Sequence, residues 1–296
     1  MPVTTIDIAI PYWGDPGLMI GAVDSVLAQT DPRWRLIVID DCYPDDTVRR
    51  YVEAIQDERV TYLRNEVNIG ISANFRKSVQ VAESEFVTIM GCDDELLPEY
   101  VAVVLAAAEA APQAAIVQPG VVVVDSAGVE SLPLVDRVKG WLMPRGQGRH
   151  LLTGEDLAAS LLRGNWLYWP SLAFRTEVIR SFDFRDDLAV IQDLAILVDI
   201  AFAGGSLVYD PHPAFRYRRH ESSASQVALL DGSRFRDERR YYAGAREDAA
   251  ARGWKRARAA ASRRWMSRLH ALAELPGALV HGRFSAVAAC LAHALR

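Results

Sequence analysis

In the first 115 residues short apolar runs alternate with segments whose apolar side chains recur at helical spacing, and nothing else restricts the fold of this chain as strongly. Ile6-Asp7-Ile8-Ala9-Ile10, Leu36-Ile37-Val38-Ile39, Val60 to Leu63 and Phe86 to Met90 read as strands. Between and after them lie helical patterns from Pro16 to Ala28 behind a capping Asp15, from about Asp46 to Ile55, from Ser72 to Ala82 and from Pro98 to Ala111. Strands that alternate with helices predict a parallel sheet. Polar residues cluster where these strands end, at Pro11-Tyr12, Asp40-Asp41 and Asp93-Asp94, and ligands of open α/β sheets bind outside the carboxyl ends of the strands.

The pattern changes in the second half. Ala115 to Val124 is strand-like and turns at Asp125-Ser126-Ala127-Gly128, and Glu130 to His150 shows no periodicity and reads as a long functional or mobile loop. Thr153-Gly154-Glu155-Asp156 predicts a capping box for a helix to about Arg163. Gln192 to Phe202 reads as a helix, with strands near Leu207 and from Phe215 to Arg218. Beyond Arg234 the chain reads as helical, with Pro276-Gly277 its one break. The expected division is 1–115, 116–230 and a helical extension 231–296.

Charge separates these parts. From Ala245 to Arg296 there are ten Lys/Arg against three Asp/Glu, a surplus of +7, which leaves −12 on the rest of a chain whose net charge is −5. An acidic body argues against nucleic acid as a partner. The basic tail is either a solvated helical face or a contact for an anionic membrane or a partner chain, including a second copy. The most apolar stretch, Ala278 to Leu295, is interrupted by His281, Arg283 and His293, so no membrane span is expected. The start shows no signal-like core, and the expected location is cytoplasmic, with peripheral attachment to the inner membrane face as an option. Cys42, Cys92 and Cys290 have neither disulfide nor zinc spacing.

An acidic pair after a strand is also a common turn, but two on one sheet edge ask for a cation or donors to hold them. One or two Asp plus a substrate phosphate are how Mg²⁺ or Mn²⁺ is usually bound. In order and spacing, Ile8-Ala9-Ile10-Pro11-Tyr12, Ser25-Val26-Leu27-Ala28-Gln29-Thr30, Ile37-Val38-Ile39-Asp40-Asp41, Asn68-Ile69-Gly70 and Asp93-Asp94 resemble family 2 glycosyltransferases over about residues 3 to 225. The resemblance implies a GT-A (Rossmann-like) α/β fold, with a mixed, mainly parallel sheet flanked by helices and a helical C-terminal extension.

It also implies roles. Asp41 would accept from the base of a nucleotide-sugar beside Pro11 and Tyr12, with Asn68 and Asn74 in the same pocket. Asp93 would face the ribose or the metal, and Asp94 would bind the Mn²⁺ or Mg²⁺ ion. In Phe215-Arg216-Tyr217-Arg218-Arg219-His220 the resemblance assigns Arg219 to the diphosphate and His220 to the metal, against an edge-strand reading in which the arginines are solvated. Asp193 of Gln192-Asp193 would be the general base, its alternative being a helix N-terminal Asp, and Asp186-Asp187 are the nearest rivals. Trp166, Tyr168 and Trp169 offer flat faces for a sugar or pack in the core. Cys42-Tyr43-Pro44 departs from the small Gly-Ser turn of many relatives.

The expected activity is inverting, metal-dependent hexosyl or deoxyhexosyl transfer from a UDP-, dTDP- or GDP-linked sugar to a glycan, lipid-linked saccharide or other acceptor. A nucleotidyltransferase, a non-catalytic nucleotide-sugar-binding protein and a structural interaction module are the alternatives.

Overall fold

The computed structural model describes residues 4–188, 191–219, 233–280 and 284–295. Its first half runs β1 (Ile6–Tyr12), α1 (Pro16–Leu27), β2 (Trp34–Asp40), α2 (Thr47–Glu53), β3 (Val60–Arg64), α3 (Ile71–Val81), β4 (Phe86–Ile89), β5 (Glu95–Leu96) and α4 (Tyr100–Ala110). Then come β6 (Ile116–Val124), α5 (Leu134–Leu142), β7 (His150–Thr153), α6 (Gly154–Arg163), β8 (Ala173–Arg175), α7 (Thr176–Ile179), α8 (Gln192–Phe202) and β9 (Ser206–Arg218). The C-terminal helices are α9 (Ser233–Ala251), α10 (Lys255–Arg263), α11 (Trp265–Val280) and α12 (Phe284–Leu295).

Among the described residues nine strands join one sheet in the order β3-β2-β1-β4-β8-β6-β9-β5, with β7 also on β9. β1 is parallel to β2 and β4, β2 to β3 and β6 to β9, whereas short β8 lies antiparallel between β4 and β6. The sheet is therefore mixed and mainly parallel. Alternation along β1 sorts its side chains. Ile6, Ile8 and Ile10 face a core completed by Met19 and Val23 of α1 and Val104 of α4, while Ala9 joins Ile37 and Ile39 against α6 and α8 on the other face. With both faces covered, strands read as continuous apolar runs.

Asp15 caps α1 as expected, accepting from the Gly17 and Leu18 amides at 2.8 and 3.0 Å. Three local expectations are corrected. The segment from Glu130 to His150 is not all loop, because α5 occupies its centre; this helix buries only Asp136, so it has no core-facing apolar stripe to betray it. Thr153 makes no side-chain cap bond at α6. Glu155 instead accepts from the Arg256 and Ala257 amides, and so caps α10. Finally, α11 runs through Pro276, and among the described residues the chain breaks at Gly253 and Arg264, both at positive φ. A proline at 276 removes an amide bond to the carbonyl of exposed Leu272, which water can satisfy. Among the described residues no helix is long and apolar enough to cross a membrane, and the three cysteines are free.

Candidate functional site

The carboxyl ends of β1, β2 and β4 open onto a cleft of about 330 Å³. Pro11, Tyr12, Asp41, Asn68, Asn74 and Asp93, six residues singled out from sequence, all line it. A larger hollow of about 430 Å³, with Gln113, Arg175 and Gly204 in its wall, lies at the opposite edge where β6 and β9 begin. It has no acidic pair, and it is on the wrong side of the sheet for an α/β ligand site.

The two aspartates after β2 do different jobs. Asp40 is fully buried, accepts from the Tyr43 amide at 2.7 Å and from the Tyr62 hydroxyl, and pairs with Arg64 at 2.6 Å. Asp41 faces the cleft. Its Oδ1 accepts from Asn65 Nδ2 at 2.7 Å and the Ile69 amide at 2.8 Å, and its Oδ2 from the Gly70 amide at 2.9 Å. One carboxylate thus holds the loop that carries Asn68, and Gly70, at φ +83°, supplies a backbone turn that glycine adopts most freely. A carboxylate has about four acceptor positions, so Asp41 keeps one for a ligand. Asn74 is 2% exposed and donates to the Ile39 carbonyl at 3.1 Å.

Aromatic rings wall the cleft. Tyr12 lies 5.0 Å from Tyr43, which meets half-exposed Trp13 edge-on at 5.2 Å. Among the described residues the buried Tyr12 hydroxyl and Trp169 Nε1 have no hydrogen-bond partner, and both belong to cleft residues. Cys42, at φ +62°, adopts the conformation that a glycine would take more cheaply, which is the structural content of the Cys42-Tyr43-Pro44 departure. Trp13 is a cleft residue that sequence reasoning passed over; its position directly after Pro11-Tyr12 was the available signal.

The second acidic pair closes the cleft floor. Asp94 is 2% exposed and accepts from the Arg218 amide at 2.9 Å. Burial, and then the neighbouring Asp93, push its carboxyl well above the usual range. Burial likewise pushes the Cys92 thiol up to about 12. A Cβ on Gly91 would sit 2.6 Å from Asp94 Oδ2 and 2.8 Å from Asp93 Oδ1, so the two carboxylates converge over a residue that must lack a side chain. Hard oxygen donors on two adjacent aspartates suit Mg²⁺ or Mn²⁺, with the remaining positions left to phosphate and water. Among the described residues no three His, Cys, Asp or Glu gather around a common point, so the described side chains offer only a partial shell. His220 lies outside the described residues.

Arg218 is buried and not solvated, since β9 is covered by neighbours on both sides; it donates to the Asp93 carbonyl at 3.0 Å and to Glu95 at 2.8 Å. Arg216 pairs with Glu95 at 2.8 Å. Arg219 makes a bidentate pair with buried Asp136 of α5 at 2.8 and 2.7 Å, and Tyr168 donates to the same carboxylate at 2.9 Å. Lys139, also on α5, donates to the Leu167 carbonyl at 2.6 Å and lies 4.0 Å from the Tyr168 ring. Burial, and then Arg219, push its ammonium down to about 8 against the pull of Asp193 and Asp136.

Asp193 stands in the first turn of α8, partly buried, and accepts from Asn165 Nδ2 at 3.1 Å. Ser72 donates to Gln192 at 3.1 Å, which ties the start of α8 to the start of α3 at the cleft edge. The rivals point elsewhere: Asp186 pairs with Arg76 at 3.0 Å and Asp187 with Arg185 at 3.1 Å. Of the aromatic cluster, Trp166 is fully buried and donates to Ser160, Tyr168 serves Asp136, and Trp169 reaches the cleft.

Comparison with known proteins places this geometry. The family model described as glycosyl transferase family 2 matches residues 7–161. WcaA of Escherichia coli (strain K12), named as a glycosyl transferase of colanic acid biosynthesis, is 36% identical over 102 residues, 34% of this chain and 37% of WcaA. The succinoglycan biosynthesis protein ExoO of Rhizobium meliloti is 24% identical over 232 residues, 77% of this chain and 65% of ExoO. The chain thus matches less than two thirds of the length of either relative. Among solved structures, S. aureus TarS 1-349 superposes with a TM-score of 0.66 at 14% identity over 89% of this chain and 72% of that one. TarS 1-349 in complex with UDP-GlcNAc gives 0.63 at 14% identity over 81% and 66%. These likenesses extend the shared fold beyond the matched residues.

Proposed function

The chain belongs to glycosyl transferase family 2 and is a glycosyltransferase, and on that premise we propose that it transfers a sugar, with inversion and with a divalent cation, from a nucleoside diphosphate to a hydroxyl of a glycan or lipid-linked saccharide. One observation carries the reading: Pro11 and five polar or aromatic residues, from four separate segments, line a single cleft at the carboxyl edge of the sheet, with Asp94 behind them. The named relatives in polysaccharide biosynthesis and the TarS complex with UDP-GlcNAc support the donor class.

In this reading Tyr12, Trp13 and Tyr43 enclose the base and Asp41 accepts from its N–H with its remaining lone pair. Asn68 borders the same pocket, and Asn74 holds its wall against β2. Asp93 and Asp94 would hold Mn²⁺ or Mg²⁺, and such an ion would supply positive charge where the diphosphate leaves; the expected ligand His220 lies outside the described residues. Arg219, fixed by Asp136, adds charge on the same side. Asp193 takes the proton from the acceptor hydroxyl as that oxygen forms its bond to the anomeric carbon. The bond from that carbon to the diphosphate oxygen breaks, and the electron pair departs with the nucleotide. Asn165 fixes the carboxylate for this task, and attack opposite the leaving group inverts the centre.

The test is thermal unfolding with UDP, dTDP or GDP, each with and without Mn²⁺. A matched nucleotide at 100 times its dissociation constant adds about 2.7 kcal/mol. One nucleotide is expected to raise the transition in the presence of Mn²⁺; no shift with any of them would remove the donor assignment.

A further inference from the structure

Helix α5 turns two unlike faces outward and inward. Asp136 and Lys139 point in, toward Arg219, Tyr168 and Asp193, while Leu134, Val135 and Trp141 stand in solvent, Trp141 at 66% exposure. Helix α11 repeats this design, with Trp265, Leu269, Leu272 and Leu279 exposed at helical spacing and Trp265 at 58%. The two helices meet beside these faces. A Cβ on Gly164 would touch Leu142 at 2.7 Å and Met266 at 2.8 Å, so the residues next to Trp141 and Trp265 meet over one glycine.

Charge states what the joined surface suits. From Lys255 to Val280, which spans α10 and α11, there are six Lys/Arg against Glu274 alone, with Lys255, Arg258 and Arg263 exposed on α10. From Ser131 to Thr153 Arg137 and Arg145 are exposed, Lys139 is turned inward and Arg149 pairs with Asp210, while the single acid, Asp136, is buried against Arg219. A second copy of the chain would bring like charge against like charge. Exposed tryptophans and leucines among cations, on helices not apolar enough to span, match a surface that lies in the headgroup region of an anionic bilayer.

We propose that the outer faces of α5 and α11, together with the exposed cations of α10, form one docking surface for an anionic membrane, which holds the acceptor side of the site against the bilayer. The docking rests on exposed residues alone; its consequence for the acceptor, that the hydroxyl is presented by a lipid-anchored molecule, rests on the reading of Asp193 as base.

The experiment is flotation of the full chain with vesicles of phosphatidylcholine alone or mixed with phosphatidylglycerol. Binding is expected to the mixed vesicles only, and to weaken as salt is raised. The pair Trp141→Ser and Trp265→Ser should lower partitioning roughly tenfold or more, and the charge variant Lys255→Glu, Arg258→Glu, Arg263→Glu should abolish the preference for anionic lipid. Both should keep the thermal shift that UDP, dTDP or GDP gives the parent. Flotation without any nucleotide shift would overturn the donor reading and leave docking standing. A parent that does not float, a tryptophan pair that floats like the parent, or a dimer on gel filtration that the tryptophan pair dissolves would overturn the docking surface.

Discussion

Replacing Asp41 with Asn keeps the side-chain shape and removes one acceptor. An amide at this position retains one carbonyl oxygen, which can keep the Asn65 and Ile69 donors, but it sets its own N–H against the amide of Gly70, now 2.9 Å from Oδ2. A hydrogen bond to a charged acceptor is worth about 1.5–3 kcal/mol. Because the carboxylate is 2% exposed, water cannot easily replace the lost contact. The expected loss of stability is therefore about 2 kcal/mol, read as a lower midpoint in urea with an unchanged slope. Nucleotide affinity of the folded variant should fall as well, by roughly tenfold for each 1.4 kcal/mol, since the loop carrying Asn68 loses its anchor and the base loses an acceptor. Calorimetric titration with UDP and Mn²⁺ measures the second effect apart from the first. A stability change below about 0.5 kcal/mol would refute the anchoring role, and unchanged affinity in a folded variant would refute the placement of the base.

Gly91→Ala would force both carboxylates of the second acidic pair aside, so Mn²⁺-dependent diphosphate binding should weaken while binding of the bare nucleoside persists; equal losses would argue against metal linkage. The Asp94 carboxyl is raised by burial and by Asp93, so protons compete with a cation there, and Mn²⁺ affinity should climb as pH rises through the acidic range; a flat profile would contradict its role as ligand. Asp193→Asn should leave donor affinity nearly intact and lower turnover ~10²–10⁴-fold. An Asn caps about as well as an Asp, so near-parental turnover would leave Asp193 a helix-start residue only.

The first half of the chain was legible because its strands are buried on both faces and its helices carry regular apolar stripes. Asp15 announced α1, and the pairs at 40–41 and 93–94 marked the right sheet edge. What separates Asp40 from Asp41 was not legible, since the difference comes from Tyr62, Arg64, Asn65 and Gly70, more than twenty residues away in the chain. Helix α5 escaped notice because Leu134, Val135 and Trp141 face outward, Leu142 alone packs on the core and its one buried residue is a charged Asp. Thr153 looked like a cap, but it makes no cap bond, and the acids that follow it, Glu155 and Asp156, turn to α10 instead, a tertiary contact that local spacing does not encode. The solvated-edge alternative for the arginines at 216, 218 and 219 failed at Arg218, because nothing in the sequence shows β5 and β6 pairing with that strand.

The central claim is that donor and cation share the cleft at the carboxyl ends of β1, β2 and β4. Crystals grown with UDP and Mn²⁺, measured for anomalous scattering from manganese, test it most directly. The account predicts a single strong peak about 2.0–2.3 Å from carboxylate oxygens of the Asp93-Asp94 pair, with the diphosphate on the same ion and the base beside Tyr12 and Asp41. A nucleotide seated in the hollow beside Arg175 and Gly204, or a manganese peak remote from Asp94, would contradict it.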